Sequence, residues 1–197
     1  ENKHTHLVPE ELEQLERLSL TGKHMKLQKS LDAFLFCCYA GMRYSDFTNL
    51  SKKNIVDINQ ETWLIYKSVK TGTEVRLPLY LLFAGKGIVI LNKYRNNLEV
   101  FFRLRDNSNI NKDLIIIAKL AGLSKKISFH TARHTNATLL IYNGVNITTV
   151  QKLLGHKSVK TTQVYTNIMD MTIVHDLEKM KQAALGIKKK TDNSFNK

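Results

Sequence analysis

The chain has 197 residues, enough for one sizeable core with little to spare. Its hydrophobic share of 43% is ordinary, but a net charge of +13 and a pI near 9.7 point to a polyanionic partner, nucleic acid first; a ribosome-like or generally sticky basic protein is the alternative. No apolar run approaches the roughly 18 residues of a membrane span and no secretory leader is read, so neither membrane nor export is expected.

Pro9-Glu10-Glu11-Leu12 predicts a short helix with Leu12, Leu15 and Leu18 on one face and proline in its first turn. A stronger helix follows, with Leu27, Leu31, Phe34, Leu35 and Cys38 at helical spacing and Gly41 as its terminator. Within it lie Cys37 and Cys38, the only cysteines of the chain. Adjacent in sequence, they build neither a disulfide framework nor a metal site, and read as structural thiols in a reducing cytoplasm. Arg43 comes next, and another short helix is expected from about Ser45 through Leu50.

Between residues 55 and 79 the period changes. Three short β-branched and aromatic stretches, 55–58, 62–66 and 75–79, are separated by the turn residues Asn59-Gln60 and Lys70-Thr71-Gly72-Thr73. They predict a three-stranded antiparallel sheet with Lys70 in or beside its second turn. Helical patterns then resume over 88–94, 111–121 (closed by Gly122), 130–142, 147–154 and 159–165. A last helix is expected over 171–185, with Ile173, Val174, Leu177, Met180 and Ala184 as its apolar stripe. The fold class is therefore mainly α with a small three-stranded antiparallel β-sheet (α+β).

Six positions, with Asp46 in support, could serve chemistry at a phosphodiester. Displacement at phosphorus builds charge on the non-bridging oxygens, and one aimed donor is worth roughly 10² to 10³ in rate. Arg43 and Arg133 are the candidate donors, since the planar guanidinium grips two oxygens and stays charged. Tyr165 could attack in line and keep the bond energy as a phosphotyrosine. Lys70, at a hairpin tip beside Gly72, could protonate the leaving 5′-oxygen, with Lys67 as competitor. His130 could take the tyrosine proton, and His156 could hold a phosphate oxygen. Asp46, three residues after Arg43, could orient an arginine or histidine, or form a simple surface ion pair with it. Each of these residues alone is commonplace.

Their joint order resembles the catalytic set of the tyrosine recombinases, the phage integrase family. Gly41-Met42-Arg43-Tyr44-Ser45-Asp46 is similar to its first arginine box, and His130-Thr131-Ala132-Arg133-His134-Thr135 to its second. Leu153-Leu154-Gly155-His156, running on to Thr161-Thr162-Gln163-Val164-Tyr165, is similar to its nucleophile box. The likeness covers about residues 9 to 185, and the style of the sequence looks like integrases of mobile elements in Bacteroides-type bacteria. Asn136 departs from the family, which often has an aromatic residue there.

The resemblance implies site-specific recombination of double-stranded DNA in a bacterial cytoplasm. Tyr165 would form a 3′-phosphotyrosyl link and free a 5′-hydroxyl, and the hydroxyl of a partner strand would reverse the chemistry through a Holliday junction. Arg43, Arg133 and His156 would clamp the phosphate, Lys70 would be general acid, and His130 would assist proton transfer, with no metal, ATP or other cofactor. It further implies a catalytic domain over residues 1–187, without the core-binding domain that usually precedes it; the polar composition of 188–197 separately predicts a disordered basic tail. The helix at 171–185 would dock on a neighbour within a homotetramer, or fold back on its own core in a monomer. A DNA-binding module without catalysis and a type IB topoisomerase are the rival functions.

Overall fold

A computed structural model describes residues 5–165, together with Leu177 and Lys181. The expected helix at 171–185 (those two residues apart) and the tail at 188–197 lie outside the described residues. The first helix, α1 (Pro9–Glu16), opens on proline, and the Glu11 carboxylate accepts the Val8 N–H at 3.0 Å. Leu12 and Leu15 are buried as the spacing predicts; Leu18 falls beyond the helix end but still packs on the core.

Helix α2 (Gln28–Ala40) is the axis of the domain. Every residue from Ser30 to Ala40 is buried, so its apolar character is wanted on all sides. It ends at Gly41, whose φ of 68° is the left-handed turn that glycine adopts without strain, and Gly41 N donates to Cys37 O at 2.8 Å. Helix α3 (Tyr44–Thr48) follows directly, shorter than the expected run to Leu50.

The sheet forms where alternation predicts it: β1 (Ile55–Ile58), β2 (Glu61–Lys67) and β3 (Glu74–Pro78), antiparallel in the order β1-β2-β3. Ile55 pairs with Leu64, and Tyr66 with Val75. Asn59 and Gln60 both take positive φ (52° and 67°), as a two-residue hairpin turn requires. Leu64, Tyr66, Val75 and Leu77 are buried and turn one sheet face to the core.

Helix α4 (Lys86–Lys93) packs on α2, and α5 (Leu98–Phe102), which no periodicity announces, drives Phe101 and Phe102 into the core. There they surround Phe47, with ring centroids at 5.3 and 5.5 Å. Helix α6 (Asn107–Leu120) starts four residues earlier than expected because Asp106 caps it, accepting from Asn109 N at 3.0 Å. Helix α7 (Phe129–Tyr142) lies along α2, and α8 (Ile147–Leu154) packs against α7 and β3. The segment 159–165, expected as one helix, is instead two 3-10 turns, Val159–Thr161 and Gln163–Tyr165. Among the described residues, no helix is long and apolar enough to cross a membrane.

Candidate active site

The end of α2 sets the position of both arginines. Arg43 caps α3 two residues beyond the Gly41 turn, with its side chain 16% exposed. Arg133 comes from α7, is 3% exposed, and donates Nη1 to Gly41 O and Nη2 to Leu154 O, each at 2.7 Å. Its last anchor is the C-terminus of α8, so one guanidinium joins three helices. Burial, reinforced by Arg43, lowers Arg133 to about 10, which leaves it charged at neutral pH. Asn136, one turn further along α7, donates to Cys38 O and Tyr39 O at 2.9 and 3.0 Å. The residue that departs from the family pattern thus caps the carbonyls that end α2.

Asp46 does more than face Arg43. Its buried carboxylate lies 3.6 Å from Arg43 Nη1 and accepts Val69 N at 2.8 Å and Ser68 Oγ at 3.3 Å. Arg43 Nη1 also donates to Ser68 Oγ at 3.4 Å. These bonds tether the loop between β2 and β3, where Lys70 stands exposed. Lys70, Arg43 and the exposed His130 line one open cleft of about 350 Å³, together with Tyr44, Ser45, Asn107 and Phe129. Lys67, the competing lysine, sits at the end of β2 opposite Glu74 and does not line it.

The remaining members lie deeper. His156 follows Gly155, whose φ is 64° and whose Cα approaches the sheet so closely that an added Cβ would meet Val75 Cγ2 at 2.6 Å. His156 Nδ1 is hydrogen-bonded to Thr162 Oγ1 at 2.9 Å. Burial first, then the fields of Arg133 and Arg43, press this imidazole down to about 4, so it is neutral at physiological pH. When the Thr162 hydroxyl donates to Nδ1, the proton sits on Nε2, the tautomer that can donate to a phosphate oxygen.

Tyr165 is 4% exposed, and its hydroxyl is hydrogen-bonded to His134 Nδ1 at 2.7 Å. Burial raises this phenol to about 12, while Arg133 and Arg43 pull it down. The imidazole bonded to Tyr165 is that of His134, which meets the His130 ring edge to face, with centroids 4.4 Å apart. His134 stood within the second arginine box without a role, and its spacing of four from His130 on a helix was the available signal. Ser68 and Thr162 carried no such signal, because tertiary packing alone makes them partners.

Two guanidiniums, Arg43 and Arg133, thus act electrostatically on a neutral imidazole, His156, and a buried phenol, Tyr165, a set of groups whose chemistry suits an oxyanion. Residues 6–171 match the sequence profile of the phage integrase family, and the chain belongs to that family. It is 29% identical over 192 residues to the tyrosine recombinase XerC of Rickettsia prowazekii (strain Madrid E), a match covering 92% of this chain and 60% of that protein. The chain thus spans well under two thirds of that relative's length. The crystal structure of XerA recombinase superposes with a TM-score of 0.66 at 25% identity, covering 89% of this chain and 65% of that one. A lambda integrase tetramer bound to a Holliday junction gives 0.66 at 20% identity, with 84% and 48% coverage. The fold is that of the tyrosine recombinase catalytic domain.

Proposed function

We propose that this chain, over residues 1–187, is the catalytic domain of a site-specific recombinase that cuts and rejoins double-stranded DNA through a 3′-phosphotyrosyl intermediate. The observation that carries this reading is the placement of the candidate residues: Arg133 bonded to the Gly41 turn that precedes Arg43 and to the α8 end that precedes His156, Tyr165 held by His134 of the same helix as Arg133, and Arg43, Lys70 and His130 lining one cleft. The charge of +13 suits a phosphate backbone.

Arg43 and Arg133 hold the non-bridging oxygens, and neutral His156 donates a further hydrogen bond. For attack, the Tyr165 hydroxyl leaves His134 and turns toward the cleft, where His130 assists removal of its proton. The Tyr165 oxygen bonds to phosphorus as the bond to the 5′-oxygen breaks, and Lys70 supplies the proton that makes the leaving group a 5′-hydroxyl. The 5′-hydroxyl of a partner strand attacks the phosphotyrosine and restores the tyrosine. The energy of the broken bond is carried in the intermediate, so the sequence closes without ATP or metal. Four such domains, coupled by docking of the segment 171–185 on a neighbour, would exchange strands through a Holliday junction; the tetramer seen for lambda integrase supports this assembly.

The test is a pool of nicked duplexes of randomised sequence, screened for protein–DNA adducts that survive detergent. Wild type should yield adducts from which the target site is sequenced. Tyr165→Phe should yield none while still binding DNA. Binding without any adduct from wild type would refute the catalytic reading.

A further inference from the structure

The turn that carries Lys70 is closed on itself and held at both shoulders. Ser68 N donates to Thr73 O at 2.9 Å, and Gly72 N donates to Ser68 O at 2.8 Å. One shoulder hangs from Asp46 through Val69 N. At the other, the Thr71 hydroxyl donates to Gly155 O at 3.1 Å and accepts from Thr73 N at 3.4 Å.

This second anchor has a particular address. The left-handed turn at Gly155 ends α8 and leaves successive carbonyls without helical partners. Leu154 O takes Arg133, Gly155 O takes Thr71, and the next residue is His156. The close approach of Val75 to Gly155 presses the β-hairpin against the same turn. Held by Asp46 alone, the loop would be free to hinge; held at both shoulders, its backbone is fixed beneath an exposed and flexible lysine side chain.

We propose that Thr71 is a positioning residue for proton delivery, its hydroxyl registering the Lys70 turn on the α8 cap that also orients Arg133 and carries His156. The proposal rests on Lys70 being the general acid. Thr71 touches neither substrate nor reacting atoms; it acts through the place it gives to Lys70.

The test compares Thr71→Val, which keeps the shape and loses the hydroxyl, with Thr71→Ser and Lys70→Ala. Each is assayed for adduct formation on the selected duplex with either oxygen or sulfur as the bridging 5′ atom. A thiolate departs without a proton, so the sulfur substrate removes the need for an acid. On oxygen, Thr71→Val should be slower than wild type by about tenfold, as expected for the loss of one or two ordinary hydrogen bonds. Thr71→Ser should retain most of the rate. On sulfur, Thr71→Val and Lys70→Ala should both approach wild type. Without DNA, amide exchange across residues 68–73 should quicken in Thr71→Val. An equal defect on both substrates, with Lys70→Ala rescued, would reduce Thr71 to a merely structural part and overturn the proposal; so would unchanged exchange. A Lys70→Ala variant that stays slow on sulfur would instead remove the acid assignment, and the proposal with it.

Discussion

Replacing Gly41 by alanine tests how tightly the two arginine boxes are fitted together. An added Cβ would lie 2.6 Å from Asn136 Oδ1, 2.8 Å from Leu154 Cδ2 and 3.0 Å from Asn136 Cγ, all closer than packed atoms tolerate. The φ of 68° adds strain of about 1–2 kcal/mol for a non-glycine residue. Overpacking adds about 1–3 kcal/mol. Asn136 cannot retreat freely, because its amide is bound to Cys38 O and Tyr39 O. The expected loss is therefore about 3 kcal/mol, read as a shift in the urea midpoint with the slope unchanged. Gly122→Ala is the internal control, since Gly122 also has positive φ (76°) but nothing within 4 Å of its would-be Cβ. It should cost about 1–2 kcal/mol from backbone strain alone. If Gly41→Ala is no more destabilising than Gly122→Ala, the close fit at the end of α2 is wrong. Because Gly41 O is an acceptor for Arg133, adduct formation by Gly41→Ala should also fall at temperatures where the variant is folded.

Two further outcomes follow from buried groups. His156 titrates near 4 when folded and near its ordinary 6.5 when unfolded, so the unfolded chain binds the proton first as pH falls. Its stabilising contribution is thus complete above about pH 6.5 and is lost toward pH 4, by about 1–2 kcal/mol after solvent screening. Unfolding free energies measured between pH 7 and 4 should fall less steeply in His156→Gln, and parallel curves would exclude the effect. The Tyr66 hydroxyl is buried without a hydrogen-bond partner among the described residues, so Tyr66→Phe should stabilise the domain by about 1 kcal/mol in chemical denaturation. A loss of stability of that size would show that the hydroxyl is satisfied in solution.

Much of this molecule is legible in its sequence where a local signal and its structural cause coincide. The apolar run through Cys37 and Cys38 with Gly41 at its end reads as a buried helix because no polar face interrupts it. The strands read from alternation, and their turns from Asn59-Gln60 and Gly72. Helix α5 is silent because five residues are too few to display a period; what holds it is the contact of Phe101 and Phe102 with Phe47. The run 159–165 has helical residues but breaks into 3-10 turns, with Thr162 N bonded to Val159 O and Tyr165 N to Thr162 O. The order of Arg43, Lys70, His130, Arg133, His156 and Tyr165 is visible along the chain, whereas the company they keep is not. Thr71 meets Gly155 across 84 positions, and His134 meets Tyr165 across 31, pairings that only the packed core creates.

The end of α2 gives the site a common mechanical reference. Arg133 binds the Gly41 carbonyl, Asn136 grips the carbonyls of Cys38 and Tyr39, and Arg43 leaves the same turn two residues later. One helix end therefore serves as an anchor for both arginine segments, and any substitution that shifts it reaches both guanidiniums at once.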